Sequence, residues 1–109
     1  RDERLVENAL DTGYYLRGEL VRLKARHGMI GDVRGVGLAT GVELVRDHTT
    51  LEPADRETTR LLQLLRDEGF LVGGEGVHAN VLKIRPPIVF RREHADLLVA
   101  GMDRALAKL

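Results

Sequence analysis

The chain has 109 residues, of which 43% are hydrophobic, 31% charged and only 4% aromatic. That length fits one domain near the lower end of what encloses a sound core, and the hydrophobic share is too high for a disordered chain. Seventeen Lys+Arg balance seventeen Asp+Glu, so the positive excess expected of a nucleic-acid or anionic-membrane surface is missing.

There is no Cys and no Ser, which excludes disulfides, zinc–thiolate sites, and thiol or serine nucleophiles. No apolar run approaches the roughly 18 residues of a membrane span, and no signal-peptide pattern opens the chain. A cytoplasmic setting is the default expectation for such a composition. Fourteen Arg outnumber three Lys (Lys24, Lys83 and Lys108), a bias that carries no functional weight.

Residues 2–27 read as one long amphipathic helix. Leu5, Ala9, Leu16, Leu20 and Leu23 recur at helical spacing, and Val6, Leu10 and Gly13 broaden the stripe. Gly13 and Gly18 weaken it, by about 1 kcal/mol each relative to Ala in a helix interior. Arg22, Lys24, Arg26 and His27 suit its negative pole, and Gly28 is placed to cap it. A helix of this length at the very start, with no Met, suggests that a further segment precedes it. Leu5, Leu16 and Leu20 are then expected to expose apolar surface that such a segment would cover.

Residues 29–45 form a β-branched, glycine-punctuated stretch, read as two short strands or one bent strand with Gly35 and Gly37 at the bend. Residues 46–52 are a polar loop. Pro53 suits the first turn of a second helix, with Asp55 and Glu57 at its positive end. Leu61, Leu62, Leu64 and Leu65 give that helix its apolar face, and Gly69 ends it. Residues 70–72 read as a short strand, 73–80 as a loop with three glycines, and 81–84 as a strand stopped by Pro86 and Pro87. A last helix over 92–108 buries Ala95, Leu98, Val99, Met102, Ala105, Leu106 and Leu109. The order implies an α+β domain, a small and largely antiparallel sheet with helices packed on it.

Among candidate sites, Gly35, Gly37 and Gly41 have a GxGxxxG spacing inside strand-like sequence. A phosphate cradle would open a helix, so a strand bend is the better reading. His27, His48, His78 and His94 lack any metal-ligand spacing, and no metal site is expected. Glu57 with Arg60, and Glu93 near Asp96, read as solvated helix faces. Lys83 and Arg85 are more informative. Strand alternation puts both on one face and Leu82 and Ile84 on the other. Two cations at a rigid strand end can hold a carboxylate or phosphate, Arg bidentately and Lys as a point charge. The same spacing also fits a solvated strand face.

Ile30-Gly31-Asp32-Val33-Arg34-Gly35-Val36-Gly37-Leu38-Ala39-Thr40-Gly41-Val42-Glu43-Leu44 resembles a stretch of the class-III, ornithine/omega-type aminotransferases. The resemblance continues in that family's order through Leu64-Leu65-Arg66-Asp67-Glu68-Gly69-Phe70-Leu71-Val72 and Asn80-Val81-Leu82-Lys83-Ile84-Arg85-Pro86-Pro87-Ile88, and ends at Met102-Asp103-Arg104-Ala105-Leu106. The branch nearest in wording is that of alanine–glyoxylate aminotransferase and phosphoethanolamine lyase. The resemblance implies the C-terminal small domain of a fold-type-I pyridoxal-phosphate enzyme, a homodimer of several-hundred-residue chains. Residues 1–28 would be a connecting helix from a large domain, and 29–109 the small domain. The Schiff-base lysine and the cofactor site would lie in the large domain, leaving no catalytic or cofactor-binding residue here and a chain inert by itself.

In many members an Arg three residues before the double proline takes the substrate carboxylate. That position here is Lys83, which keeps the charge and loses the planar grip; the alternatives this leaves are a substrate held differently, a substrate that carries a phosphate, or compensation by Arg85. The implied substrates are a small amine and a keto acid, with phosphate elimination from a phosphorylated amine as a variant. The competing expectation is a free-standing α+β module, ligand-binding or assembly-forming, without catalysis.

Overall fold

The structure is a computed structural model and describes residues 3–70, 72–75, 79–86 and 90–109. Three helices, α1 (Glu3–Lys24), α2 (Asp55–Asp67) and α3 (Arg92–Leu106), pack against four strands, β1 (Ile30–Val36), β2 (Ala39–Leu44), β3 (Val72–Glu75) and β4 (Val81–Ile84). The strands form one antiparallel sheet in the order β1-β2-β4-β3. This is the α+β architecture read from the sequence.

Residues 29–45 are two strands, joined by the two-residue turn Gly37-Leu38. Gly37 has φ +59° and Leu38 does not share the positive φ, the pattern of a hairpin turn that needs glycine at its first central position. Gly35 sits within β1, paired with Thr40, and not at the bend.

Thr40, Val42 and Leu44 of β2 and Leu82 and Ile84 of β4 alternate onto the helix side and are buried. Leu16, Leu20 and Leu23 of α1, Leu61 and Leu65 of α2, and Ala95, Leu98, Met102 and Ala105 of α3 close over them. Each fully buried Leu contributes roughly 1.5–3 kcal/mol of transfer free energy. Leu16 and Leu20 therefore serve this core, contrary to the expectation that they face outward. The large apolar residues that α1 does expose are Leu5, Leu10, Tyr14 and Val21. Thr12 is buried where the apolar stripe had been extended to Leu10. A small polar residue on the inner face is invisible to hydrophobic periodicity.

Other boundaries differ for local reasons. Gly28 does not cap α1 in the left-handed conformation; the helix ends at Lys24 and tightens into i→i−3 turns, with Ala25 N–H on Arg22 O and Arg26 N–H on Leu23 O. Pro53 pairs with Val45 in an isolated bridge, two residues before α2. Gly69, at φ +93°, does follow the end of α2. Gly73 and Gly74 lie in β3 and not in a loop, because the ladder with β4 overrides their weak intrinsic preference. Leu109 is partly exposed beyond the end of α3. Leu71, Gly76, His78 and Pro87 lie outside the described residues.

Ion pairs tie the elements at their ends. Arg46 spans from the end of β2 to α2, with Nη2 2.8 Å from Asp55, Nε and Nη2 on Glu57, and Nη1 3.1 Å from Glu52. Glu57 is thus held by Arg46, not by the helical neighbour Arg60. Asp103 of α3 receives His27 at 2.6 Å and Arg26 at 2.9 Å from the end of α1. Tyr15 donates to Asp96, and Arg92 lies over the Tyr15 ring.

These contacts depress carboxyl pKa values. Arg46 is the largest cause for Glu57, the Arg56 amide for Asp55, the Thr50 and Thr49 amides for Asp47, and His27 for Asp103. A carboxyl depressed in the folded state stabilises above its unfolded pKa, and that contribution is lost as pH falls through the lower folded value. The urea midpoint should therefore drop below about pH 4, the unfolded carboxylate range. Arg46→Met should make that drop shallower; an identical profile for both proteins would contradict the assignment.

The two interior glycines of α1 should respond with opposite sign. A Cβ at Gly13 would overlap the carbonyl of Gly37, whereas at Gly18 it would meet nothing within 4 Å. Gly13→Ala should cost roughly 1–3 kcal/mol of unfolding free energy, as overpacking does. Gly18→Ala should gain up to about 1 kcal/mol from helix propensity. Denaturant titration of the two variants decides it.

Candidate functional site: a cationic groove on the open face of the sheet

The sheet face turned away from the helices carries different chemistry. Antiparallel register places Arg34, Gly41, Lys83 and Gly73 in one row across all four strands. Asp32, Glu43, Val81 and Glu75 form the adjacent row. Lys83 thus stands between two glycines, and its stem is bordered on both neighbouring strands by backbone alone. A Cβ at Gly73 would meet nothing within 4 Å, and one at Gly41 would reach only an ordinary contact with Val81.

An open groove of about 360 Å³ lies at this end of the sheet, lined by Arg34, Lys83 and Arg85 together with Gly35, Val36, Ala39, Thr40 and Gly41 of the hairpin. Both cations singled out in the sequence, Lys83 and Arg85, line it. Lys83 projects from β4 and is half-buried; Arg85 follows the last residue of the strand and is exposed. Arg34, the third cation, lies 2.7 Å from Asp32 and 3.2 Å from Glu43. Those two carboxylates raise its pKa and keep its guanidinium oriented along β1.

Among the described residues neither a histidine nor a carboxylate lines the groove. The arrangement is suited to holding and orienting an anion, Arg85 as a fork and Lys83 as a point charge.

The remaining sequence candidates are dispersed. Gly35, Gly37 and Gly41 belong to the hairpin and open no helix. His27 faces Asp103, His48 contacts the Gly28 carbonyl, and His94 Nδ1 accepts the Arg91 amide at 3.0 Å. Among the described residues no three His, Asp or Glu side chains gather in a way that could hold a metal ion. Sequence reading missed Gly41 and Gly73 as neighbours of Lys83, since cross-strand register is needed to see them. It also missed Arg17 of α1, whose partners lie about twenty residues away on the hairpin.

The family model for aminotransferase class-III matches residues 1–106. The chain is 44% identical over 107 residues to alanine–glyoxylate aminotransferase 2 homolog 2, mitochondrial, of Arabidopsis thaliana, covering 98% of this chain and 22% of that protein. It is 37% identical to ethanolamine-phosphate phospho-lyase homolog 1 of Caenorhabditis elegans, covering 97% of this chain and 23% of that protein. Among solved structures, a phospholyase from Arthrobacter in complex with phosphoethanolamine superposes with a TM-score of 0.91 at 40% identity, covering 98% of this chain and 25% of its own. A Bacillus anthracis aminotransferase gives the same TM-score at 28% identity, with the same shares covered. The chain therefore spans about a quarter of the length of the relatives it matches. By sequence and by fold alike, this chain belongs to the class-III aminotransferase family.

Proposed function

We propose that this chain acts as the C-terminal small domain of a longer pyridoxal-phosphate enzyme, moving an amino group from an amine or amino acid to a keto acid. The observation that carries this is the family match over residues 1–106 on a chain a quarter as long as its relatives. The exposed Leu10, Tyr14 and Val21 add support. They share one face of α1 at i, i+4 and i+11, and that face suits a large domain of the same polypeptide. A homodimer and a cytoplasmic setting belong to the same proposal. No helix among the described residues is long and apolar enough to cross a membrane.

The described residues do not make a site for the cofactor. Imine formation needs an enclosed lysine, and the pyridine ring needs an apolar or aromatic plate beside it. Lys24 donates to the Gly31 carbonyl at 3.2 Å, and Lys108 is exposed beyond α3. Lys83 stands in an open groove with no aromatic side chain among its lining residues. Pyridoxal phosphate accordingly belongs to the rest of the enzyme, and no chemical step is placed on this chain. Its own task is to cover the site and to hold the anionic end of the substrate at Lys83 and Arg85.

The relatives' names include both a transaminase and a phospho-lyase, and a carboxylate or a phosphate would suit the two cations. In an enzyme carrying this domain, Lys83→Ala should lower kcat/KM for its anionic amine donor by roughly 10–100-fold, the worth of a hydrogen bond to a charged group. Assays with an amino acid and with a phosphorylated amine identify which anion is read; unchanged kcat/KM with both would end the assignment of Lys83. The 109-residue chain mixed with pyridoxal phosphate and an amine should give no turnover above the free cofactor's rate. Turnover beyond that rate would refute the placement of the chemistry elsewhere.

A further inference from the structure

We propose that Arg17 of α1 is a positioning residue for the cationic groove, acting from behind the sheet by fixing the β1–β2 hairpin that forms one wall of it. This rests on the reading of the groove as an anion site. Arg17 does not line the groove. Its Nη1 donates to the Gly37 carbonyl at 2.7 Å and to Thr40 Oγ1 at 3.3 Å, with the Ala39 carbonyl at the edge of reach at 3.5 Å. Thr40 Oγ1 in turn donates to the Leu38 carbonyl at 3.3 Å, so one guanidinium nitrogen and one hydroxyl bind the turn from Gly37 to Thr40.

Gly13, one helical turn before Arg17, is what lets this happen. Its missing Cβ leaves room for the carbonyl of Gly37, the same oxygen that Arg17 holds. Among the described residues the partners of Arg17 are neutral oxygens of the hairpin, none of them a carboxylate. A cation placed on the carbonyls of one turn orders that turn. Any other surface position would have served solubility equally well.

The hairpin contributes Val36, Ala39 and the backbone of Gly35, Thr40 and Gly41 to the groove wall, while Lys83 and Arg85 come from β4. Register holds β2 and β4 together from Glu43 to Thr40, and among the described residues none beyond Ile84 continues that ladder along Ala39. At the tip, α1 holds the turn through Arg17. A shift of the tip alters the groove's width opposite the two cations, and anion binding is sensitive to sub-ångström changes of that kind.

The test uses the 109-residue chain, with inorganic phosphate as the probe and two readouts by nuclear magnetic resonance. One is amide exchange along the hairpin; the other is phosphate-induced shifts at Lys83 and Arg85. Arg17→Ala should speed exchange at hairpin amides by about tenfold and weaken phosphate binding several-fold, on the scale of one lost charge-assisted hydrogen bond. Arg17→Lys, which keeps a donor with shorter reach, should recover part of both. Lys83→Ala should abolish the phosphate shifts and leave hairpin exchange unaltered. Should Arg17→Ala unfold the chain, Arg17→Lys and Thr40→Val carry the same comparison. A phosphate response that keeps its affinity in the Arg17 and Thr40 variants overturns the positioning role alone. Absence of any phosphate response in the unaltered chain overturns the anion reading, and this proposal with it.

Discussion

At Gly13 the helix α1 comes so close to the hairpin turn that a single added carbon would overlap the carbonyl of Gly37. The glycine that weakens the helix locally is thus the one that seats it. Once α1 lies at that distance, Leu16 and Leu20, three and seven residues on, point into the space above β1 and β2 and are fully buried. Arg17 on the same stretch reaches the turn itself. The propensity cost of about 1 kcal/mol at one glycine is small beside the burial of two leucines, each worth roughly 1.5–3 kcal/mol. Packing wins over propensity, and the helix belongs to the core of this domain.

With the helices confined to one side, the sheet is left with two unlike faces. An antiparallel sheet tolerates this, since one face can pack while the other stays solvated. Val42, Leu44, Leu82 and Ile84 take the packed side. Asp32, Arg34, Glu43 and Lys83 share the open side, where opposite charges on neighbouring strands satisfy one another and leave Lys83 in a row otherwise filled by Arg34 and two glycines. The glycines leave the two residues paired with Lys83 on the neighbouring strands without side chains. That is what separates a groove from an ordinary charged face.

Much of this was legible along the chain because it depends on local periodicity. The bounds of β4, the opposite faces of Lys83 and Leu82, the stop of α2 at Gly69 and the leucine face of α2 all follow from residues within one turn or one strand. What escaped depends on neighbours distant in sequence. Gly73 and Gly74 read as a loop until β4 supplies their hydrogen-bonding partners. Glu57 has a plausible partner in Arg60 at helical spacing, yet the better-placed guanidinium of Arg46 arrives from another element. Thr12 carries no apolar signal, although its hidden face is as buried as that of a leucine. Arg17 is the clearest case: nothing in its neighbourhood distinguishes it from Arg22, which makes only an ion pair with Glu19 on its own helix.

The exchange of a fork for a point charge at Lys83 has a consequence for recognition. A guanidinium fixed on a strand specifies a planar, two-bond partner; an ammonium on a four-carbon stem specifies only negative charge within reach. In the groove proposed as the anion site, Lys83 lies between glycines of the two neighbouring strands, and the hairpin lines the groove beside it. On the proposed anion reading, selectivity between a carboxylate and a phosphate would rest on the space that the hairpin leaves beside the two cations, and Arg17 and Gly13 both meet that hairpin at Gly37. In that proposal a residue on the far side of the sheet acts on which anion fits, without touching it.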